Sequence, residues 1–413
     1  MACYNVLILT KEILYVTSVV IIGGGASGTL AALKIKTADK TIRVTILEKN
    51  EELLKKLKAT GNGRCNLSNN NIPQGHLVTG FINSLGILTR QEEEGRIYPF
   101  SGRAKDVVLM LKEALISWDV IIKTKFSAME VMASGSRFIV KSREGEELEA
   151  DFVILASGGK AMPQLGATGD GFKMAKDLGI SIGPVYPGLT HFSVKDYDTS
   201  LVGIRAKGKA ILKFKGNIEA EESGEIQFSK KGISGIAIMN LSSLTYLKQE
   251  DEIHDYSLSL DFMEGFNRRG VLELLKDRAL IHNLKIREML LTVVPYELGM
   301  VILKRAGIKE EELNHPSITL GEGRLLKIAS ELKSMDYYIS DLGGYKDAQI
   351  TVGGVLDSEI NMDTCESKRY KGLYITGELL DYAGPCGGYN LHHAFKTGIQ
   401  AGNHIVESVK EKR

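Results

Sequence analysis

Apolar and polar positions along the chain fall into three successive regimes. The first opens on SVVII (18–22), an unbroken β-branched run suited to a strand buried on both faces. A glycine turn, the helical run TLAALKIK (29–36) and a second strand, IRVTILEK (42–49), follow as a βαβ unit with a parallel sheet. A Lys-rich helix start (EELLKKLKA, 51–59) leads into ATGNGRCNLSNNNIP (59–73), whose Gly and Asn content reads as loop. DVVLMLKEALI (106–116) has helical spacing. VIIKTKFSAMEVMA (120–133), SRFIVKS (136–142) and EELEADFVILASGG (146–159) alternate like antiparallel strands and end in one buried strand, FVILA.

The second regime runs from about His191, where short alternating runs (KAILKFKG, EIQFSKKGISG, YSLSLDF) predict a small β-rich module. From Glu264 to Leu332 the spacing is helical, through VLELLKDRAL, REMLLTVVPYELGMVILKRAG and EGRLLKIASELK. The third regime reverts to the first, with QITVGGV, GLYITGELLDYAG and a glycine pair opening a last helix. The expected fold class is α/β, a nucleotide-binding Rossmann-like domain interrupted by an inserted β-rich domain with a helical subdomain. The expected boundaries are 1–190 (with 1–17 an extension), 191–263, 264–332, 333–349 for the return of the insert, and 350–413 for the C-terminal part of the first domain.

Bulk properties agree with several domains. The chain has 413 residues, against roughly 150 per domain. Its 52 basic and 51 acidic residues leave a net charge of +1, which gives no electrostatic case for nucleic acid or an anionic membrane. Cys3, Cys65, Cys365 and Cys386 are too few and too scattered for a disulfide framework or a zinc site, so no metal is expected and the setting is a reducing cytoplasm. The N-terminal stretch is apolar, but Lys11 and Glu12 interrupt it, and the run Ile13–Ile22 is too short to span a bilayer. It also merges with the first strand, so it cannot be cleaved as a signal without destroying that strand.

The chemistry is carried by glycines. Gly23, Gly25 and Gly28 form Gly-x-Gly-x-x-Gly after the first strand, and Glu48 ends the second. Gly23 allows the tight turn, Gly25 lets backbone approach a pyrophosphate, and Gly28 lets the helix pack on the strand. The helix N-terminus offers unpaired N–H groups to phosphate. Three further glycine segments stand at strand ends or helix starts: Gly61–Asn66, Ser157–Gly159 and Gly387–Leu391. Singly, each reads as a structural turn; together they suit one long dinucleotide lying beyond the carboxyl ends of the strands. TGELLD (376–381) resembles the segment with which FAD-binding Rossmann proteins hold the pyrophosphate end, so FAD fits better than NAD. A helix opening at Gly387-Gly388 would aim its positive end at the reduced ring.

GNGRCNLSN (61–69), ITVGGV (350–355) and TGELLDYAGPCGGYNLHHAFKTGIQAG (376–402) together resemble the bacterial NAD(P)/FAD-dependent oxidoreductase family of the BaiN and aminoacetone oxidase type. The resemblance implies an FAD Rossmann domain with a β-rich insert and helical subdomain. It implies that Gly23, Gly24, Gly25, Ala26, Ser27 and Gly28 hold the pyrophosphate, with Glu48 and Lys49 at the ribose and the backbone of Phe126 at the adenine. It places Asn62, Gly63, Arg64, Cys65 and Asn66 along the flavin, Ser157 and Gly158 over the cofactor, and Gly377, Glu378, Gly388, Tyr389, Asn390 and Leu391 at its far end. Asn62 stands where the family often has a glycine.

LGATGDGFKMAKDLG (165–179) resembles the helix entry of fumarate-reductase-like flavoproteins; read without that, it is a helix capped by Thr168 or Asp170. Cys65 and Cys386 read as packing in glycine loops rather than a redox pair, His392 and His393 as helix residues without chemistry, and EEEGR (92–96) as a solvated loop. Tyr389 and Arg64 are candidates to polarise a substrate carbonyl. The expected activity is reduction of a carbon–carbon double bond conjugated to a ketone, on a small apolar substrate such as a 3-oxo bile acid, with NADH or NADPH as a transient donor. An amine oxidase releasing peroxide is the alternative, and a flavin-carrying RNA-binding protein the remote one.

Overall fold

The computed structural model describes residues 16–245 and 250–413. Most of the extension expected at 1–17, with Cys3, lies outside the described residues. The β-branched run becomes strand Ser18–Ile22, the centre of a five-stranded parallel sheet. Across the sheet the order is Leu373–Ile375, Phe152–Leu155, Ser18–Ile22, Arg43–Leu47 and Ile121–Lys123. Ile21 faces Ile154 on one side and Ile46 on the other, and all three are fully buried. Burial on both faces is why these strands read as continuous apolar runs rather than alternating ones.

The helix Ala26–Ala38 leaves the first strand and packs on the C-terminal helix Tyr389–Lys412. A Cβ at Gly398 would stand 2.2 Å from the Ser27 carbonyl, so the two backbones touch and only glycine fits. The crossover to Phe152–Leu155 is a three-stranded antiparallel sheet, Ala128–Ser134, Arg137–Ser142 and Glu147–Ala150.

The chain leaves the sheet domain through Tyr186–Gly188 and returns through Ile350–Val352, and these two strands pair antiparallel. Between them lies a closed barrel of six strands: Phe192–Val194, Gly232–Ser234, Asn217–Ser229, Arg205–Phe214, Tyr256–Asp261 and Met335–Leu342. Helices Arg268–Ala279, Tyr296–Arg305 and Glu322–Lys333 pack beside it. Barrel and helices share a core containing Phe228, Leu258, Ile302 and Leu332, separate from the core of the parallel sheet. The molecule is thus an α/β Rossmann-like domain interrupted by a β-rich domain with a helical subdomain.

Local departures from the expected elements have local causes. The helical run 287–307 breaks at Pro295, whose missing N–H and fixed φ start a new helix at Tyr296. The Lys-rich helix is a single turn, Lys55–Ala59, because Leu54 before it sits at φ 62°. The helix Asp170–Asp177 is preceded by Gly169 as N-cap, not Thr168 or Asp170, and has no side-chain cap. Those two side chains both turn to Lys49 instead.

Candidate functional site

The strand Arg43–Leu47 delivers Glu48 into the fold, where it is buried. One carboxylate oxygen accepts the Gly24 N–H at 3.0 Å; the other accepts the Asn50 N–H at 2.9 Å and its side-chain amide at 2.6 Å. These bonds compensate the buried charge and hold it over the glycine turn. Around that turn the glycines have distinct jobs. A Cβ at Gly23 would lie 2.4 Å from the Ala156 carbonyl, and one at Gly28 would lie 2.1 Å from the Gly23 carbonyl. A Cβ at Gly25 would meet nothing within 4 Å. Gly25 is also the N-cap of its helix, with no side-chain cap, so the first N–H groups at Ala26 and Ser27 face that open space. The Ser27 hydroxyl is turned away, to Thr376 Oγ1 at 2.5 Å. Lys49 pairs with Asp170 at 2.5 Å, and the Phe126 N–H is spent on the Glu48 carbonyl at 3.0 Å.

The next strand end supplies Ser157 and Gly158. The Ser157 hydroxyl is buried without a partner, and Gly158 (φ 75°) opens onto free space. Opposite them, Glu378 is fully engaged. It accepts the N–H and the hydroxyl of Thr351, each at 2.9 Å, and forms an ion pair with Lys56 at 2.6 Å. Thr351 Oγ1 in turn accepts the Lys160 N–H at 2.7 Å and the Ala161 N–H at 3.1 Å. The Glu378 side chain therefore braces the loops, while Gly377 (φ 69°) donates its N–H to Thr397 at 2.9 Å.

At the far end, Gly61, Asn62, Gly63 and Cys65 all have positive φ. Asn62 sits at φ 54°, a conformation that asparagine tolerates better than most residues, so it can replace a glycine here. The Cys65 side chain is sealed in the core, and burial pushes its thiol up to about 12. The Asn66 side-chain oxygen is buried and unpartnered. Arg64 is paired: both its bonds at 2.8 Å go to the Glu92 carboxylate, and it lies 4.3 Å from the Tyr98 ring centre. That pair uses one of its terminal nitrogens, and the side chain stays partly exposed, with N–H groups to spare. It also shows that EEEGR is more than a solvated loop, because Glu92 pairs Arg64 and the Glu94 carbonyl accepts from Asn69 at 3.0 Å.

The C-terminal helix starts at Tyr389 behind Gly388 (φ 100°), with no side-chain cap. Asn390 grips Gly384, accepting its N–H at 2.8 Å and donating to its carbonyl at 2.7 Å. Tyr389 is half-buried with its ring 3.6 Å from where a Gly387 Cβ would be, and Leu391 packs on the sheet core. His392 shares a 2.8 Å hydrogen bond with Ser68, and His393 stacks on Tyr382 at 4.0 Å. Burial lowers both imidazoles to about 4, so both are neutral near pH 7. Burial likewise raises the Cys386 thiol to about 12.

Sequence reasoning missed Lys56, Asn69, Thr351 and Asn240, each of which holds a site loop through a side chain. Asn69 lies beside the Gly-Arg-Cys-Asn signature and could have been found there; Asn240 carries no local signal. Among the described residues there is no His, Cys, Asp or Glu group that could hold a metal, and no helix long and apolar enough to cross a membrane.

Two uncapped helix ends, open space beside Gly25, Gly63 and Gly158, and unpartnered polar atoms on Ser157 and Asn66 fit a long dinucleotide. Fold and site together define a dinucleotide-binding flavoprotein. Within that class, the chain belongs to the HI0933-like protein Rossmann domain family, whose pattern matches residues 17–80 and 74–404. It is 34% identical to the 3-dehydro-bile acid delta(4,6)-reductase of Clostridium scindens, over 94% of this chain and 98% of that protein. It is 25% identical to the ribosomal RNA dihydrouridine synthase of Haemophilus influenzae, over 92% of this chain and 96% of that protein. In fold it is similar to 3-ketosteroid delta1-dehydrogenase from Sterolibacterium denitrificans, with a TM-score of 0.51 at 12% identity, over 95% of this chain and 100% of that one. The protein is an FAD-dependent oxidoreductase.

Proposed function

We propose that this enzyme is an NAD(P)H-linked reductase of a carbon–carbon double bond conjugated to a ketone, acting on a 3-oxo steroid of the bile-acid type. The observation that carries this reading is the 34% identity, across nearly all of both chains, to a protein named for that reduction. Bound FAD supplies hydride transfer. The chain's own residues hold and polarise. The helix end at Gly25–Ser27 binds the pyrophosphate, and the Glu48 carboxylate, held by Gly24 and Asn50, accepts from the ribose. The Phe126 carbonyl meets the adenine. Ser157 and Asn66, each with an unpartnered buried oxygen, are the side chains left to bond the cofactor. The Tyr389 hydroxyl and the Arg64 guanidinium are the two candidate donors to stabilise charge on the substrate's ketone oxygen.

A second reading has its own observation, the relatives named ribosomal RNA dihydrouridine synthase at 25% and 24% identity. Saturating uracil is also reduction of a double bond conjugated to a carbonyl, so one site chemistry serves both. On the long barrel hairpin, Arg205, Lys209, Lys213 and Lys215 are paired with Glu225, Glu221, Asp336 and Asp255, while Lys207 is exposed with no ion pair among the described residues.

The test is anaerobic. NADH or NADPH should bleach the yellow protein, and a 3-oxo steroid unsaturated at the 4 or 4,6 positions should restore the colour. Restoration by ribosomal RNA and not by the steroid would establish the second reading. Bleaching by amines, with peroxide formed in air, would make the protein an amine oxidase.

A further inference from the structure

Three asparagines from separate stretches of the chain hold the residues that lead into the C-terminal helix. Asn390 grips Gly384 by both its N–H and its carbonyl, at 2.8 and 2.7 Å. Asn240 Oδ1 accepts the Cys386 N–H at 2.8 Å. Asn69 Nδ2 donates to the Gly387 carbonyl at 3.0 Å. Asn390 belongs to the helix itself, and Asn69 to the short strand Ser68–Asn69. Asn240 comes from the inserted domain, on helix Ile236–Ser242.

Asn240 is itself held from two sides. Its Nδ2 donates to Glu222 on barrel strand Asn217–Ser229, at 3.2 Å. At the end of its helix, Ser242 Oγ accepts the Thr190 N–H at 2.9 Å and Ser243 Oγ accepts the Leu189 N–H at 3.0 Å, both from the segment entering the insert. The loop it reaches needs such holds. Gly387 and Gly388 sit at φ 123° and 100°, a glycine pair with wide conformational freedom just before the helix begins. Where that pair rests decides where the first N–H groups of the helix point.

We propose that Asn240 is a positioning residue: through its bond to Cys386, the inserted domain seats the N-terminus of the C-terminal helix and so sets how strongly the chain stabilises reduced FAD. The inference rests on the reading that places the flavin ring at Gly388–Leu391. The helix end carries about half a positive charge, whose effect falls off within one turn, so a small displacement matters. The insert then tunes the reducing power of a cofactor held by the other domain.

The test uses the FAD-loaded enzyme and its midpoint potential. Asn240→Ala should keep stoichiometric FAD and shift the oxidised-to-reduced ratio about tenfold toward oxidised at fixed potential, about 30 mV for a two-electron couple. The visible spectrum should change, and kcat should fall with KM little altered. Asn240→Asp keeps the acceptor; combined with Glu222→Gln, which removes the opposing charge, it should restore the wild-type potential. Should Asn240→Ala fold poorly, Asn240→Ser carries the same measurement. A wild-type potential and spectrum in the Ala or Ser variant overturns the proposal. So does a shifted potential that Asn240→Asp with Glu222→Gln does not restore. Steroid turnover is assayed separately, so a failed substrate reading leaves the potential measurement intact.

Discussion

Glu378 and Lys56 form an ion pair at 2.6 Å across 322 positions of sequence. The same carboxylate takes both polar groups of Thr351, and Thr351 takes the backbone N–H groups of Lys160 and Ala161. One acidic side chain thus ties together the helix after Glu48, the strand returning from the insert and the loop after Ser157. Glu378→Ala leaves the Thr351 N–H and the Lys56 ammonium without this partner. Loss of about 1–3 kcal/mol of stability is expected, toward the lower value because Lys56 reaches water. Thermal unfolding of the apo and FAD-loaded protein checks this. A larger loss in the loaded form shows that the brace serves cofactor binding as well.

Gly25 and Gly28 should respond oppositely to alanine. Gly28→Ala forces a Cβ to 2.1 Å from the Gly23 carbonyl, so the turn must open and the fold should lose stability. Gly25 has φ −83° and open space beside it, so Gly25→Ala should leave the apo protein stable. Its methyl group then occupies the approach to the pyrophosphate, and FAD affinity should fall about tenfold or more. Unfolding curves together with FAD titration separate the two outcomes.

His392 and His393 make stability depend on acid. Folded, both have pKa values lowered to about 4 from the ordinary 6.5, because burial disfavours the charged ring. Unfolded, they take up protons as the pH drops below about 6.5. Their contribution to stability is therefore complete above pH 6.5 and is progressively lost as the pH falls toward 4. Urea unfolding across that window should show the decline. His393→Phe, which keeps a ring against Tyr382 without a titrating nitrogen, should roughly halve it, leaving the part due to His392.

The thiols of Cys65, Cys365 and Cys386 should resist alkylation in the folded protein near pH 8, since burial raises each to about 12 and leaves almost no thiolate. Mass spectrometry after brief iodoacetamide treatment should find them modified only when the protein is unfolded. Rapid labelling of Cys386 in the native state would mean that the loop held by Asn240 opens.

The parallel sheet was legible because strands buried on both faces write themselves as apolar runs, as SVVII and FVIL do. The barrel was legible from period-two alternation in KAILKF and YSLSLD. The break at Pro295 was visible in the residue itself, yet a long helical spacing on both sides masked it. The site was less transparent. Glycines mark where backbone must come close, so the four glycine segments stood out. The side chains that hold those segments are ordinary polar residues far away in sequence: Asn240 for Cys386, Thr351 for Glu378, Glu92 for Arg64. Asn240 and Glu92 carry no local sign of that role, and Thr351 shows it only through the ITVGGV segment in which it lies. Arg64 read as a free guanidinium because its partner lay in a charge run that looked solvated.

The insert enters and leaves through one antiparallel pair, Tyr186–Gly188 against Ile350–Val352, with Gly188 opposite Ile350. Adjacent entry and exit make the insertion a graft: Gly188 joined to Ile350 by a short turn would close the host domain into a continuous chain. Selection can then reshape the grafted half while the host keeps its sheet and its nucleotide turn. The bond from Asn240 to Cys386 resists that freedom. Any replacement graft must still reach Cys386, or inherit a cofactor with a different appetite for electrons.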